Sequence, residues 1–203
     1  MYILFFEEPM GRTREFNVDK ALEQATILFW KQGYRNTSME QLVTCTGVSR
    51  YGFYQEFGNK KELFQRCLQE YSLRKIGPGL KRLSASDGSL ADLTAFFNLY
   101  SQNIAAHGAN GCLICNTATE VGESDPDMNS AVQQVYSALS AQFRDFIEKA
   151  QAQGEIRKEI DANSLSFCLL GVLQGVAVMA KGDFHRETLR HYLTTIFDMM
   201  AQK

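Results

Sequence analysis

Cys112 and Cys115 are separated by Leu113 and Ile114, a spacing at which two thiols can act together. Two thiols separated by two residues can form a redox couple or supply half of a zinc site. The three histidines, His107, His185 and His191, are not paired at ligand spacing, so the sequence predicts no metal site. Thiol chemistry ranks above metal binding, since a position near a helix start can lower the pKa of a thiol such as Cys112. The alternative is that both cysteines are small buried packing residues.

The stretch that follows Gly47 forms a second candidate site. Gly47 allows a tight turn, Val48 can be buried at the pivot, and Ser49 can cap the next helix and approach a phosphate. On that helix Phe53 and Phe57 share one face. The neighbouring turns carry the exposed candidates Arg50, Tyr51, Tyr54 and Gln55. Two short helices joined by a glycine turn predict a helix-turn-helix, whose second helix enters the major groove of DNA.

The distribution of charge supports contact with nucleic acid, although the net charge of the chain is -2. Residues 10–75 hold eleven Lys and Arg against seven Asp and Glu, which gives this segment a charge of +4. Residues 76–203 hold ten against fourteen, which gives -4, and Glu7 and Glu8 supply the rest. Because a local patch matters more to a DNA partner than the total, the basic segment agrees with the predicted motif.

Helices must position these residues, because only three prolines interrupt the chain and apolar residues recur at three- and four-residue steps. The first four predicted helices are Val18 to Gly33, a short one capped by Thr37 or Ser38, Ser49 through Tyr54, and Asn59 through Tyr71. The later ones are Leu90 to His107, Cys112 to Val121, Pro126 to Gln153, Asn163 to Lys181 and His185 to Ala201. Between the two groups, Gly77-Pro78-Gly79 is the strongest predicted break, although a kinked long helix can also pass there.

The chain is therefore predicted to be all-α, with an N-terminal helix-turn-helix domain and a larger helical C-terminal domain. The predicted bounds are residues 10–76 and 77–203. Residues 1–9 are expected to be an upstream extension, because Met10-Gly11-Arg12-Thr13-Arg14 makes a basic start of its own.

At the residues of the motif, the chain resembles the TetR family of bacterial regulators. The match runs in order through Thr37-Ser38-Met39, Gly47-Val48-Ser49-Arg50, Phe53-Tyr54 and Phe57-Gly58-Asn59-Lys60-Lys61-Glu62-Leu63-Phe64. The resemblance implies that Tyr54 and Lys60 contact phosphates, with a hydroxyl of Thr37 or Ser38 and the first amides of the second helix. It also implies that Arg50, Tyr51, Gly52 and Gln55 face the bases. Many members carry a small residue and then Ser or Thr where this chain has Tyr51-Gly52, so the operator sequence does not follow.

The resemblance further implies that the C-terminal domain binds a small molecule and forms a homodimer. The segment Ala162 to Ala180 is apolar nearly all round, so it is expected to be buried on several sides. With the last helix it predicts a four-helix seam between two subunits, built from Leu169, Leu173, Val176, Tyr192, Ile196, Phe197 and Met200. The alternative is a purely intramolecular core. Aromatic residues that can line an effector cavity are Phe96, Tyr100, Tyr136 and Phe143.

These observations predict a cytoplasmic, dimeric DNA-binding regulator. It is expected to be a repressor that binds a palindromic double-stranded operator and is released by an unidentified small molecule or by cysteine modification. No acidic pair, nucleophile triad or phosphate loop supports catalysis, and neither a cofactor nor a membrane span is expected. The alternatives are an activator, a constitutive DNA binder and, from another class, a thiol-dependent redox protein that uses Cys112 and Cys115.

Overall fold

The computed structural model describes residues 16–106, 110–121, 124–182 and 184–202. The proposed extension at residues 1–9 lies outside these ranges, which contain α-helices and no strand beyond one isolated bridge. The helices are α1 (Val18–Gln32), α2 (Met39–Thr46), α3 (Arg50–Phe57), α4 (Lys60–Tyr71), α5 (Gly77–Ser84), α6 (Leu90–Ala106), α7 (Leu113–Val121), α8 (Pro126–Gln153), α9 (Ala162–Lys181) and α10 (Arg186–Met200). The predicted all-helical fold class is confirmed.

Side-chain caps explain where the N-terminal helices begin. The Asn17 side chain accepts a hydrogen bond from the Lys20 amide at the start of α1, and Asn59 accepts from two amides at the start of α4. Of the two predicted caps of α2, Ser38 is the one used, and it forms a capping box with Gln41. Because each cap satisfies amides that a helix start leaves free, short helices in this region have fixed ends.

The helical path continues through Gly77-Pro78-Gly79. The structure therefore has the kinked long helix that was the alternative to a break. Helix α4 runs into one π-helical turn, Ser72–Ile76, and α5 starts at Gly77 without a loop. Pro78 lies in the first turn of α5, where its missing amide costs no hydrogen bond. A Cβ on Gly79 would come within 2.9 Å of the Phe96 ring, so the glycine is required by close helix packing. The predicted domain boundary at residue 76 stays a prediction.

Helix α9 lies against α8 and also contacts α6 and α10. Its length and its mean hydropathy of 1.6 would allow it to cross a membrane, but several of its apolar residues are buried within this chain. Leu169, Leu173 and Val176 are at most 1% exposed and belong to the core of this one chain. Burial against three helices therefore accounts for one face of α9, whereas Phe167 and Val178 remain exposed.

The predicted subunit seam needs a correction, because most of its residues face inwards. Besides Leu169, Leu173 and Val176, Phe197 and Met200 are 5% exposed and lie in the same intramolecular core. Phe197 contacts the Phe97 ring at a centroid distance of 5.4 Å. Of the predicted residues only Tyr192 and Ile196 are half-buried, so these two alone keep surface for a partner.

Two buried hydroxyls join α8 to α9. The Oγ atoms of Ser140 and Ser166 lie 2.8 Å apart, and Ser166 Oγ also lies 2.7 Å from the Asn163 carbonyl oxygen. Both residues are buried. The contact is asymmetric, because Ser166 keeps a second partner when Ser140 is lost.

We expect Ser166→Ala to lower the free energy of unfolding by about 1 to 2 kcal/mol, because it leaves the Ser140 hydroxyl buried without this partner. Ser140→Ala should lower the free energy of unfolding by a smaller amount. The double variant should be no less stable than Ser166→Ala. A double-mutant cycle of urea unfolding measures all three values. Equal effects of the two single variants would contradict the asymmetry.

Candidate nucleic-acid interface

Helices α2 and α3 form the predicted helix-turn-helix. Gly47 ends α2 in the left-handed conformation, with φ of 67°, which makes the turn tight. Val48 is 2% exposed at the pivot, and the Ser49 side chain accepts a hydrogen bond from the Gly52 amide at 3.1 Å. The turn therefore fixes the direction of α3, and its first amides point away from the pivot towards the N-terminal end of the helix.

The two faces of α3 differ as predicted. Phe53 and Phe57 are buried and contact each other at a centroid distance of 5.4 Å. Tyr51 is 71% exposed and Tyr54 48% exposed. Arg50 and Gln55 are also exposed. Arg50 lies 3.1 Å from the Glu40 carboxylate of α2, an exposed ion pair that contributes little to stability but limits where the guanidinium points.

Two of the expected contact residues lie on the inner side of this surface. A Cβ on Gly52 would lie 3.3 Å from the Val48 side chain and 3.6 Å from Phe16, so Gly52 faces the packing side rather than the exposed side. Thr37 is 1% exposed, and its hydroxyl donates to the Gly33 carbonyl at 2.6 Å. These positions leave Ser38 as the exposed hydroxyl of the pair, and the expected approach of Gly52 to the bases stays a prediction.

Lys60 starts α4 next to the exposed end of the motif. Its Nζ lies 4.3 Å from the centre of the Tyr34 ring, and partial burial lowers the pKa of the lysine. Close by, Arg66 holds the end of α3: its guanidinium donates to the Glu56 carbonyl at 2.9 Å and lies 5.0 Å from the Phe57 ring centre. Arg66 could not be singled out from a local pattern, because Glu56 and Phe57 are ten and nine residues away in the sequence.

The motif is fixed to the C-terminal half through the turn between α1 and α2. The Glu120 carboxylate, on α7, accepts the backbone amides of Tyr34 at 2.9 Å and Arg35 at 2.6 Å. We call this contact the Glu120 cradle. The Arg35 guanidinium also donates to Ser124 Oγ at 2.6 Å. No local sequence pattern indicates such contacts, since the partners are more than eighty residues apart.

Further contacts surround the cradle. The Lys61 ammonium lies 2.8 Å from Asp125 and 2.6 Å from Asp127, and these bonds lower the pKa of Asp125 and raise that of Lys61. On the other side of α1, the Trp30 indole donates to the Gly111 carbonyl at 3.0 Å. The segment 111–127 is therefore joined to α1, α4 and the turn before α2.

The cysteine pair lies at the start of α7, inside the protein. Cys112 precedes the helix and is 1% exposed, and Cys115 lies in the first turn and is 9% exposed. Interactions with the Cys115 thiol and with Tyr71 lower the pKa of Cys112 against the opposing effect of burial. The same contact and burial raise the pKa of Cys115. The pair is thus buried, as the packing alternative predicts, and yet one thiol is surrounded by hydrogen-bond donors.

The residues of the expected effector cavity are in the core of the C-terminal half. Phe96, Tyr100 and Phe143 are at most 6% exposed, and Tyr136 is half-buried beside Cys115. The rings of Phe96 and Phe143 lie 5.7 Å apart in an edge-to-face contact, so they pack on each other. In the ranges that the structure describes, no three His, Cys, Asp or Glu side chains are grouped for a metal ion.

The fold and this surface define a helix-turn-helix transcription regulator, and comparisons with known proteins identify its family. Residues 21–67 match the profile of the bacterial regulatory proteins of the tetR family, and residues 89–196 match the tetracyclin repressor-like C-terminal domain. The second match covers more than half of the chain. The chain belongs to the TetR family of DNA-binding transcriptional regulators. The predicted family and regulator class are thereby confirmed, in preference to the alternative of a thiol-dependent redox protein.

Two curated relatives are similar over most of their length. The transcriptional repressor ComR of Escherichia coli K12 is 28% identical over 173 residues, 84% of this chain and 82% of ComR. The repressor DhaR of Mycobacterium sp. GP1 is 24% identical over 182 residues, 88% of this chain and 89% of DhaR.

Two solved structures show the same fold. A cysteine mutant of the TetR-family regulator CifR, in complex with a 26-bp operator, has a TM-score of 0.79 and 22% identity, covering 94% of this chain and all of that one. The reduced form of E. coli NemR has a TM-score of 0.75 and 18% identity, covering 91% of this chain and 97% of that one.

Replacing Thr37 by valine tests whether its hydroxyl is structural. The variant keeps the shape but removes the donor to the half-buried Gly33 carbonyl, so we expect the free energy of unfolding to fall by about 1 kcal/mol. Ser38→Ala, the matched control on the exposed side, should weaken DNA binding as well as the cap. Titration of labelled DNA with folded protein measures both affinities. A larger loss of affinity in Thr37→Val than in Ser38→Ala would contradict this assignment.

Proposed function

We propose that the protein is a cytoplasmic, homodimeric repressor that binds a palindromic operator and releases it in response to an effector. The observation that carries this proposal is the exposed face of α3, which is capped at Ser49 and held from below by Phe53 and Phe57. A rigid helix with an exposed polar face is what the major groove accepts. ComR and DhaR are named as repressors, which supports the direction of control.

The proposed DNA contacts divide into two groups. Tyr54, Lys60, Ser38 and the first amides of α3 hold phosphates, which sets the position of the helix. Arg50, Tyr51 and Gln55 face base edges, and the ion pair with Glu40 directs Arg50. Gly52 and Thr37 support this face by packing on its inner side. The large exposed ring of Tyr51 adds apolar contact area at the centre of the base-reading face.

The second subunit covers the outer face of α9 and α10. On α9, Phe167 and Val178 are 58% and 65% exposed, and Gly171 between them has open space around its Cβ position. On α10, Met199 is 62% exposed and follows the half-buried Tyr192 and Ile196 at helical spacing. Exposed apolar side chains beside a small residue allow two helices to approach closely. A second copy is the proposed occupant, because a palindrome requires two-fold symmetry.

The effector signal passes through α7. Cys112 lies at its first end and Glu120 about 12 Å further along, at 1.5 Å per residue. A ligand in the aromatic core, or a modification of Cys112, moves α7, and the Glu120 cradle transfers this movement to the turn before α2. The two recognition helices, held about one DNA turn apart at roughly 34 to 36 Å, then lose their spacing.

The central experiment selects bound sequences from random duplex DNA with the purified protein. We expect enrichment of a palindrome whose half-sites are about one helical turn apart. A parallel selection with protein treated with a thiol alkylator should recover less of it. Absence of an enriched palindrome would refute the operator proposal. Equal enrichment with alkylated and untreated protein would refute the cysteine switch.

Lys60→Ala should weaken binding to all sequences and reduce the slope of log affinity against log salt by about one. Its neighbour provides the control: Lys61 is bonded to Asp125 and Asp127, so Lys61→Ala should leave the slope unchanged. Affinities at four salt concentrations measure both slopes. Equal slopes for Lys60→Ala and the parent protein would remove Lys60 from the phosphate contacts.

A further inference from the structure

Tyr34 lies in the turn between α1 and α2 and is half-buried beside the start of α4. The centre of its ring lies 4.3 Å from the Lys60 Nζ. A cation within about 6 Å of a ring face is attracted by the negative charge of that face. The Lys60 ammonium therefore rests on an aromatic ring at the edge of the helix-turn-helix.

Several contacts hold this ring in place. Its centre lies 5.0 Å from the Phe64 ring and 6.3 Å from the Phe29 ring. Phe64 follows Lys60 by one turn of α4, so both residues lie on the side of α4 that meets Tyr34. The Tyr34 amide donates to the Glu120 carboxylate at 2.9 Å. With its backbone bonded and its ring packed, Tyr34 is a fixed support for the lysine.

Lys60 needs such a support because its side chain is long and flexible. A lysine loses rotamer freedom when its ammonium binds a phosphate, and this loss weakens binding. An ammonium that already rests on a ring has lost part of that freedom before DNA arrives. The ring face occupies one side of the ammonium, and since the group has three donors, the others can reach phosphate oxygens.

We propose that Tyr34 is a positioning residue for DNA binding, and that the face of its ring holds the Lys60 ammonium where Lys60 contacts a phosphate. This inference rests on the proposed function, since it takes Lys60 as a phosphate contact. It also extends the role of the Glu120 cradle. The carboxylate that holds the Tyr34 amide thereby fixes the support of Lys60, so a shift of α7 moves a phosphate contact as well as the turn before α2.

A double-mutant cycle tests the coupling of Tyr34 to Lys60. Phosphate contacts do not depend on sequence, so the probe is a labelled duplex of random sequence, about 30 bp long, at low salt. Tyr34→Leu removes the ring and should weaken binding about two- to fivefold. The same substitution in Lys60→Ala should change the affinity by less than about 1.5-fold, because no ammonium remains to be positioned. Tyr34→Phe keeps the ring face and should bind as the parent protein does.

A second replacement at position 34 keeps the shape of the ring, because Tyr34→Leu also alters the packing of the turn. Pentafluorophenylalanine has a ring of similar shape whose face carries the opposite partial charge. At position 34 it should weaken binding about two- to fivefold relative to Tyr34→Phe. The control is pentafluorophenylalanine in place of Phe29, which stacks on Tyr34 inside the core and should leave the affinity within about twofold of the parent.

The outcomes separate this inference from the function on which it rests. Unchanged affinity in Lys60→Ala would refute the phosphate contact and, with it, the role of Tyr34. If Lys60→Ala weakens binding, the contact stands and Tyr34 is tested alone. An equal effect of Tyr34→Leu with and without the lysine, or equal affinities for phenylalanine and pentafluorophenylalanine at position 34, would then overturn the proposal.

Discussion

The contact between one carboxylate and two backbone amides joins the two halves of this molecule. Glu120 accepts the amides of Tyr34 and Arg35 in the turn that leads into α2. Hydrogen bonds to a charged acceptor are stronger than neutral ones, and a backbone amide cannot move away from its partner by changing rotamer. The turn, and with it the helix-turn-helix, therefore follows the end of α7.

Helix α7 is short, and its length bears on how a displacement can pass along it. It has nine residues, with Cys112 immediately before it and Glu120 near its end. A long helix packed along its whole length would spread a displacement over many contacts. A short helix held at both ends transfers a shift at one end to the other as a nearly rigid body. In the proposed function, this rigidity is the reason that a signal at the start of α7 reaches Glu120.

How much the sequence could predict depends on the distance between interacting residues. The caps at Ser38, Ser49 and Asn59 and the turn at Gly47 are local signals, and the structure contains all of them. Five residues of the predicted seam, three on α9 and two on α10, are buried within the chain. A helix such as α9 that is apolar nearly all round gives no sign of which side meets its own chain.

Contacts between residues far apart in the sequence could not be predicted from local patterns. Gly77-Pro78-Gly79 is a strong local breaker, but the helix continues because Phe96 of a later helix packs on Gly79. The Glu120 cradle and the Arg66 contact join residues that no pattern relates. Thr37 is the instructive case: the family motif contains it as a possible DNA contact, whereas its hydroxyl is used to close the turn after α1.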